Sequence, residues 1–118
     1  MQSQRILRVR ELLKRALAEI LRREIPISEA GLVAVNEVDV AADLQAATVY
    51  VGIVGTKDQK QRGLAILERE TKRIQSLLGH AVVLKYTPRL KFVLDDSVER
   101  GNRILSIIEE IERTAPKE

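Results

Sequence analysis

Three features of the sequence predict an α+β fold in which helices cover one face of a three-stranded sheet. Apolar residues recur at helical spacing in residues 5–23, 59–79 and 96–111. Runs rich in β-branched residues occupy 32–40, 44–54 and 82–94. Of the 118 residues, 45% are apolar, 38 of them Leu, Ile or Val, which suffices for one two-layer core without staples. A single domain over residues 1–113 and a tail over 114–118 are therefore expected.

In the first helix Ile6, Val9, Leu13, Leu17 and Ile20 form the apolar face, and Ser3 is placed to cap its start. Arg8, Arg15 and Arg22, spaced by seven, share a stripe that projects to the flank of that face at about 100° per residue. Pro26 forces Ile25 toward an extended conformation, so the helix stops there. Residues 32–40 and 44–54 read as an antiparallel hairpin across Ala41-Ala42-Asp43. In its second strand Ala47, Val49, Val51 and Ile53 share one face. Thr48, Tyr50, Gly52 and Val54 share the other, which is also apolar near the middle, so the strand is expected to be covered on both sides.

Leu64, Leu67, Ile74 and Leu78 set the next helical stretch, where Gly63 weakens the first turns and suggests a short helix leading into a longer one. Gly79 reads as its terminator. A third strand, 82–94, is bent at Thr87-Pro88 because proline cannot donate to a ladder. The last helix begins at a capping box, Asp96-Ser97-Val98-Glu99, and runs through Ile104, Ile107, Ile108 and Ile111.

Charge is unevenly distributed. The net charge of +3 resolves into +5 over residues 1–23, −5 over 24–56, +6 over 57–91 and −3 over 92–118. Two basic blocks in one small domain suggest a polyanionic partner, because clustered Lys and Arg displace counterions from a phosphate backbone. Cysteine is absent, which removes disulfides, thiolate metal sites and thiol catalysis and suits a reducing cytoplasm. The longest uncharged run, Leu44 to Thr56, has 13 residues, short of the ~20 that span a bilayer. Arg5, Arg8 and Arg10 interrupt any signal-peptide core. A soluble cytoplasmic chain with no membrane partner is expected.

Candidate catalytic groups are few. Asp95-Asp96 is an adjacent carboxylate pair, but its place before a helix favours capping over metal binding. Asp39 and Asp43 flank a turn. The sole histidine, His80, lacks partners for a metal site or nucleophile. Gly52-Ile53-Val54-Gly55 matches a nucleic-acid-clamping GxxG string, yet it ends a strand on apolar residues and is read as a decoy. Gly55-Thr56-Lys57 lacks the spaced first glycine of a phosphate loop. With only Tyr50, Tyr86 and Phe92 as aromatics, base stacking is disfavoured, and RNA contact would rely on phosphate charge and shape. No cofactor and no metal are expected.

Several strings occur in an order that carries a resemblance. They are Arg8-Val9; Val38-Asp39-Val40 with Asp43-Leu44; Ala47-Thr48-Val49-Tyr50-Val51; Ser76-Leu77-Leu78-Gly79; and Thr87-Pro88-Arg89-Leu90-Lys91-Phe92 followed by Asp95 and Ser97. Together they resemble the bacterial ribosome-binding factor A family across nearly the whole chain. The resemblance implies a type II KH-like fold with an added C-terminal helix and a non-enzymatic, monomeric assembly factor of the small (30S) ribosomal subunit. It further implies binding near the decoding region, help in maturing the 16S rRNA ends, and importance in the cold.

In one place the chain departs from the family, which replaces the KH loop by a small-x-Gly kink between two helices. Glu70-Thr71-Lys72 stands there, so either the kink forms without glycine or the helix runs straighter, and no sharp glycine-type break or positive φ is expected at residues 70–72. Arg62, Arg69, Lys72 and Arg73 are the main phosphate-facing candidates, since Arg62, Arg69 and Arg73 project within about 40° of one another on an ideal helix. Arg8, Arg15 and Arg22, with Lys85, Arg89 and Lys91, are secondary. Two rival readings are a protein-interaction module that binds RNA incidentally and a small RNA-processing nuclease. The nuclease would need a metal or acid–base pair that the residues do not supply.

Overall fold

A computed structural model of the chain describes residues 4–95. The element order is α1 (Gln4–Glu24), α2 (Ile27–Ala30), β1 (Leu32–Val40), β2 (Ala46–Val54), α3 (Lys57–Arg69), α4 (Thr71–Ala81) and β3 (Arg89–Leu94). The expected helix over 96–111, the tail over 114–118 and the Ser3 cap lie outside the described residues.

The four-residue helix α2 has no counterpart in the periodicity. Pro26 both ends α1 and opens α2, its carbonyl accepting the Ala30 N–H at 3.0 Å. Gly31 closes α2 at φ +70°, where a Cβ would lie 2.6 Å from the Val54 carbonyl oxygen, so glycine is required both by the left-handed angle and by the close approach.

β1 and β2 pair antiparallel from Leu32↔Val54 to Val40↔Ala47, with one extra residue, Asn36, bulging between Val35 and Glu37. The turn is set by Asp43, whose carboxylate accepts the Gln45 N–H at 3.0 Å, and by Leu44 at φ 62°. That turn chemistry delays β2 to Ala46. Asn36 reaches across Gly52 to the Asp95 carboxylate at 3.2 Å, and a Cβ on Gly52 would come within 2.9 Å of that amide. Gly55 lies against Gln59, which closes a capping box with Thr56 at the start of α3. Both glycines of the GxxG string thus have structural roles.

β3 pairs parallel to β2, from Ala46↔Arg89 to Val51↔Leu94, giving sheet order β1-β2-β3. It is half the expected length. Residues 82–88 are not strand: Val82 still donates to the Leu78 carbonyl at 3.0 Å as the cap of α4, and Val83 is wholly exposed. Gly79 is not a terminator either. It lies inside α4, where its missing Cβ lets Thr87 fold back over the helix, since a Cβ would meet Thr87 Oγ1 at 2.8 Å. Nor does Gly63 interrupt a helix. Its bare Cα packs against Ile53 and the Ala30 carbonyl, and α3 passes through it unbroken from Lys57.

The interruption falls instead at Glu70, in the bridge region at φ −94° and ψ 9°. As expected, residues 70–72 carry no positive φ. The Thr71 hydroxyl is shared between the Leu67 carbonyl at 2.8 Å and the Glu68 carbonyl at 3.0 Å, in the last turn of α3.

Leu13, Leu17 and Leu21 of α1, Leu67 of α3, Ile74 and Leu78 of α4, and Val38, Val49 and Val51 of the sheet form the fully buried core. Burial stabilises each by roughly 1.5–3 kcal/mol. Among the described residues no charged or polar side chain is buried. The helices cover one face of the sheet, as expected. The opposite face of β2, through Ala46, Thr48, Tyr50 and Gly52, is only half-buried, so the expected two-sided cover is not met by the described elements.

Candidate nucleic-acid interface

All ten basic candidates are exposed. Arg8, Arg15 and Arg22 form a straight stripe along α1. They lie roughly opposite the buried Leu13, Leu17 and Ile20 at 100° per residue, and so face away from the core rather than along its flank. Glu11 and Glu19 are exposed on the same helix. Arg89 and Lys91 share the uncovered face of the sheet, beside Ala46 and Thr48. Lys85 sits with its ammonium 5.5 Å from the Tyr86 ring centroid, a cation–π contact.

Arg62 and Arg69 lie on α3, one seven-residue step apart. Lys72 and Arg73 lie beyond the break at Glu70 on α4, so a projection for one continuous helix does not apply across it, although Arg69 and Arg73 both reach the Glu70 carboxylate. Arg73 Nη1 donates to Glu24 Oε2 at 2.9 Å, and its Nε donates to Glu70 Oε2 at 2.9 Å. Arg69 Nε lies 3.7 Å from Glu70 Oε1, and Arg23 Nε 3.5 Å from Glu24 Oε1. Glu70 and Glu24 therefore gather three guanidinium groups where α1, α3 and α4 meet. The hydrogen bond from Arg73 holds the Glu24 carboxyl below its ordinary 4.5. The bonds to Glu70 first, and to Glu24 second, hold the Arg73 guanidinium above its ordinary range.

Sequence reasoning singled out Arg73 and left out its long-range partner. The Glu70–Arg73 spacing of three was a readable helical signal, whereas Glu24 is 49 residues away. Two further long-range links were also missed. Arg10 ties α1 to β1, donating to the Val38 carbonyl at 2.9 Å and to Glu37 at 2.8 Å. Gln75 accepts the Leu90 N–H at 3.1 Å, tying α4 to β3.

From the break, the outer side of α4 runs into an open groove of about 470 Å³ lined by Lys72, Gln75, Ser76, Gly79, His80 and Thr87. His80 Nδ1 lies 2.8 Å from the Ser76 carbonyl oxygen. One ammonium, one amide, two hydroxyls and an imidazole on a floor opened by Gly79 can hydrogen-bond phosphate and sugar oxygens. Among the described residues no cluster of three His, Asp or Glu side chains is placed to hold a metal, and no helix is long and apolar enough to cross a membrane.

Comparison with known proteins agrees with this architecture. The family model described as ribosome-binding factor A matches residues 5–108. Ribosome-binding factor A of Opitutus terrae is 41% identical over 114 residues, covering 97% of this chain and 93% of the relative. The crystal structure of the Thermus thermophilus factor superposes with a TM-score of 0.67 at 27% identity, covering 75% of this chain and 94% of that one. A homology model of the Thermus factor fitted into a cryo-EM map of a 30S complex matches with a TM-score of 0.61 at 28% identity, over 72% of this chain and 89% of that one. In sequence, in its KH-like α+β architecture and in the extent of both matches, the chain belongs to the ribosome-binding factor A family.

Proposed function

We propose that this protein is a non-enzymatic factor that binds the small ribosomal subunit through its 16S rRNA. It assists late maturation of the 30S particle and processing of the rRNA ends, acting as a cytoplasmic monomer and mattering most in the cold. The observation that carries this reading is the likeness to a relative fitted into a map of a 30S complex. The exposed cations supply the chemistry such a role needs, because phosphate contacts fix register and position on RNA without reading bases.

Within that role, Arg62, Arg69 and Lys72 form the phosphate-facing set, leading along α3 and across the break into the α4 groove, while Arg73 adds charge behind them. Arg8, Arg15 and Arg22, with Lys85, Arg89 and Lys91, make secondary contacts. The experiment is cosedimentation of the full chain with precursor and mature small subunits across a salt series. Binding that favours precursor particles and weakens steeply with salt is expected. Equal binding to both particles, or binding indifferent to salt, would contradict the reading.

A further inference from the structure

The break between α3 and α4 exists without a glycine; Ile74 and Leu78 seat α4 in the core and Gln75 ties it to β3, while among the described residues the side-chain bonds at the break itself are local except that from Arg73 to Glu24. Thr71 ties up the carbonyls at the end of α3, and Glu70 sits in the bridge region, at a negative φ that does not call for glycine. Neither fixes where α4 points. Arg73 does reach outside the two helices: one guanidinium joins Glu70, at the break, to Glu24, in the last turn of α1. Glu24 keeps 24% of its side-chain surface exposed and Arg73 49%, so the pair bridges α1 and α4 at the solvent-exposed rim of their contact. A planar guanidinium can serve two carboxylates at once, which a lysine ammonium on a flexible stem does with far less directional control.

We propose that Arg73 is a positioning residue rather than a phosphate contact: by bracing Glu70 against Glu24 it sets the direction of α4, and thereby the spacing between Arg69 and the Lys72 groove. The inference rests on the proposed rRNA-binding role of that surface. It assigns opposite signs to one substitution. If Arg73 meets phosphate, Glu24→Gln removes a competing and repelling carboxylate and strengthens binding. If Arg73 is a brace, the same change releases α4 and weakens binding even though the protein becomes more positive.

The test titrates the full chain and its Glu24→Gln, Arg73→Lys and Glu24→Gln/Arg73→Lys variants against small subunits over a salt series. Amide hydrogen exchange of the unbound proteins is followed in parallel. Each single variant should bind about two- to fivefold more weakly, the scale of an exposed ion pair. The double variant should be no worse than either single one, and exchange should quicken at residues 71–74 but not in β2. Tighter binding by Glu24→Gln, additive losses, or unaltered exchange at 71–74 would overturn the brace. A parent chain that fails to bind subunits would instead defeat the underlying function, with the exchange comparison still reading the brace itself.

Discussion

The two basic surfaces of this molecule are built on different principles. On α1, Arg8, Arg15 and Arg22 follow one unbroken helix, so their spacing in space is their spacing in sequence, about 10 Å per step of seven. On α3 and α4 the cations straddle a break, and Glu24 and Glu70 hold Arg73 between them while Glu70 also pairs with Arg69. The first arrangement is regular but diluted by Glu11 and Glu19 on the same helix. The second brings one of its cations, Lys72, to the rim of a groove lined by polar side chains of α4. Under the proposed function, a cation beside polar groups that can meet sugar and phosphate oxygens, not charge count, is what distinguishes the second surface.

As scaffolds the two regions should be indistinguishable, and the largest effects follow from that. Leu17 of α1 and Leu67 of α3 are both wholly buried in one core. Each changed to Ala should lose about 2–5 kcal/mol in denaturant unfolding. A markedly cheaper loss at either position would break the comparison by showing that one helix is peripheral.

A smaller effect separates them. Thr71→Val removes the hydroxyl from the Leu67 and Glu68 carbonyls and should cost about 0.5–1.5 kcal/mol. No α1 residue has an equivalent role, since that helix runs unbroken from Gln4 to Glu24. Thermal unfolding of the Val variant checks this, and a midpoint equal to that of the parent would mean that the break needs no hydroxyl.

The smallest effect is pH-dependent. Glu24 is held below its ordinary value of 4.5 by Arg73, so the folded state binds this proton less readily than the unfolded chain. The pair's contribution is fully present above about 4.5 and is lost as pH falls through the lowered folded-state value. Comparing acid unfolding of the parent with that of Glu24→Gln should show a slightly shallower acid loss in the variant and no difference at neutral pH beyond a constant offset.

Much of the fold was legible because it is periodic. α1, the hairpin and the two-helix stretch each follow a local repeat that burial against one core enforces. What was not legible depends on contacts distant in sequence. Gly31 answers to the Val54 carbonyl and Gly79 to Thr87, which is why α2 went unseen and why α4 outruns its supposed terminator. Residues 82–88 have strand-like composition but are used to cap α4 and carry the chain to Pro88. For the site, the charges themselves were visible. The Glu24 partner of Arg73 was not, so a projection valid for a continuous helix placed Arg73 in line with Arg62 and Arg69.

The proposed contact with the small subunit runs across the α3–α4 break rather than along the α1 stripe. The most direct measurement sets Arg62→Ala/Arg69→Ala/Lys72→Ala beside Arg8→Ala/Arg15→Ala/Arg22→Ala, titrating both full-length triple variants against precursor subunits over a salt series. With one phosphate contact per residue, the first triple should lower the log–log salt slope by roughly two to three units while keeping the parent's thermal midpoint, and the second should lower it by less. Equal losses in the two triples, or an unchanged slope in the first, would contradict the claim and place the RNA surface elsewhere on the molecule.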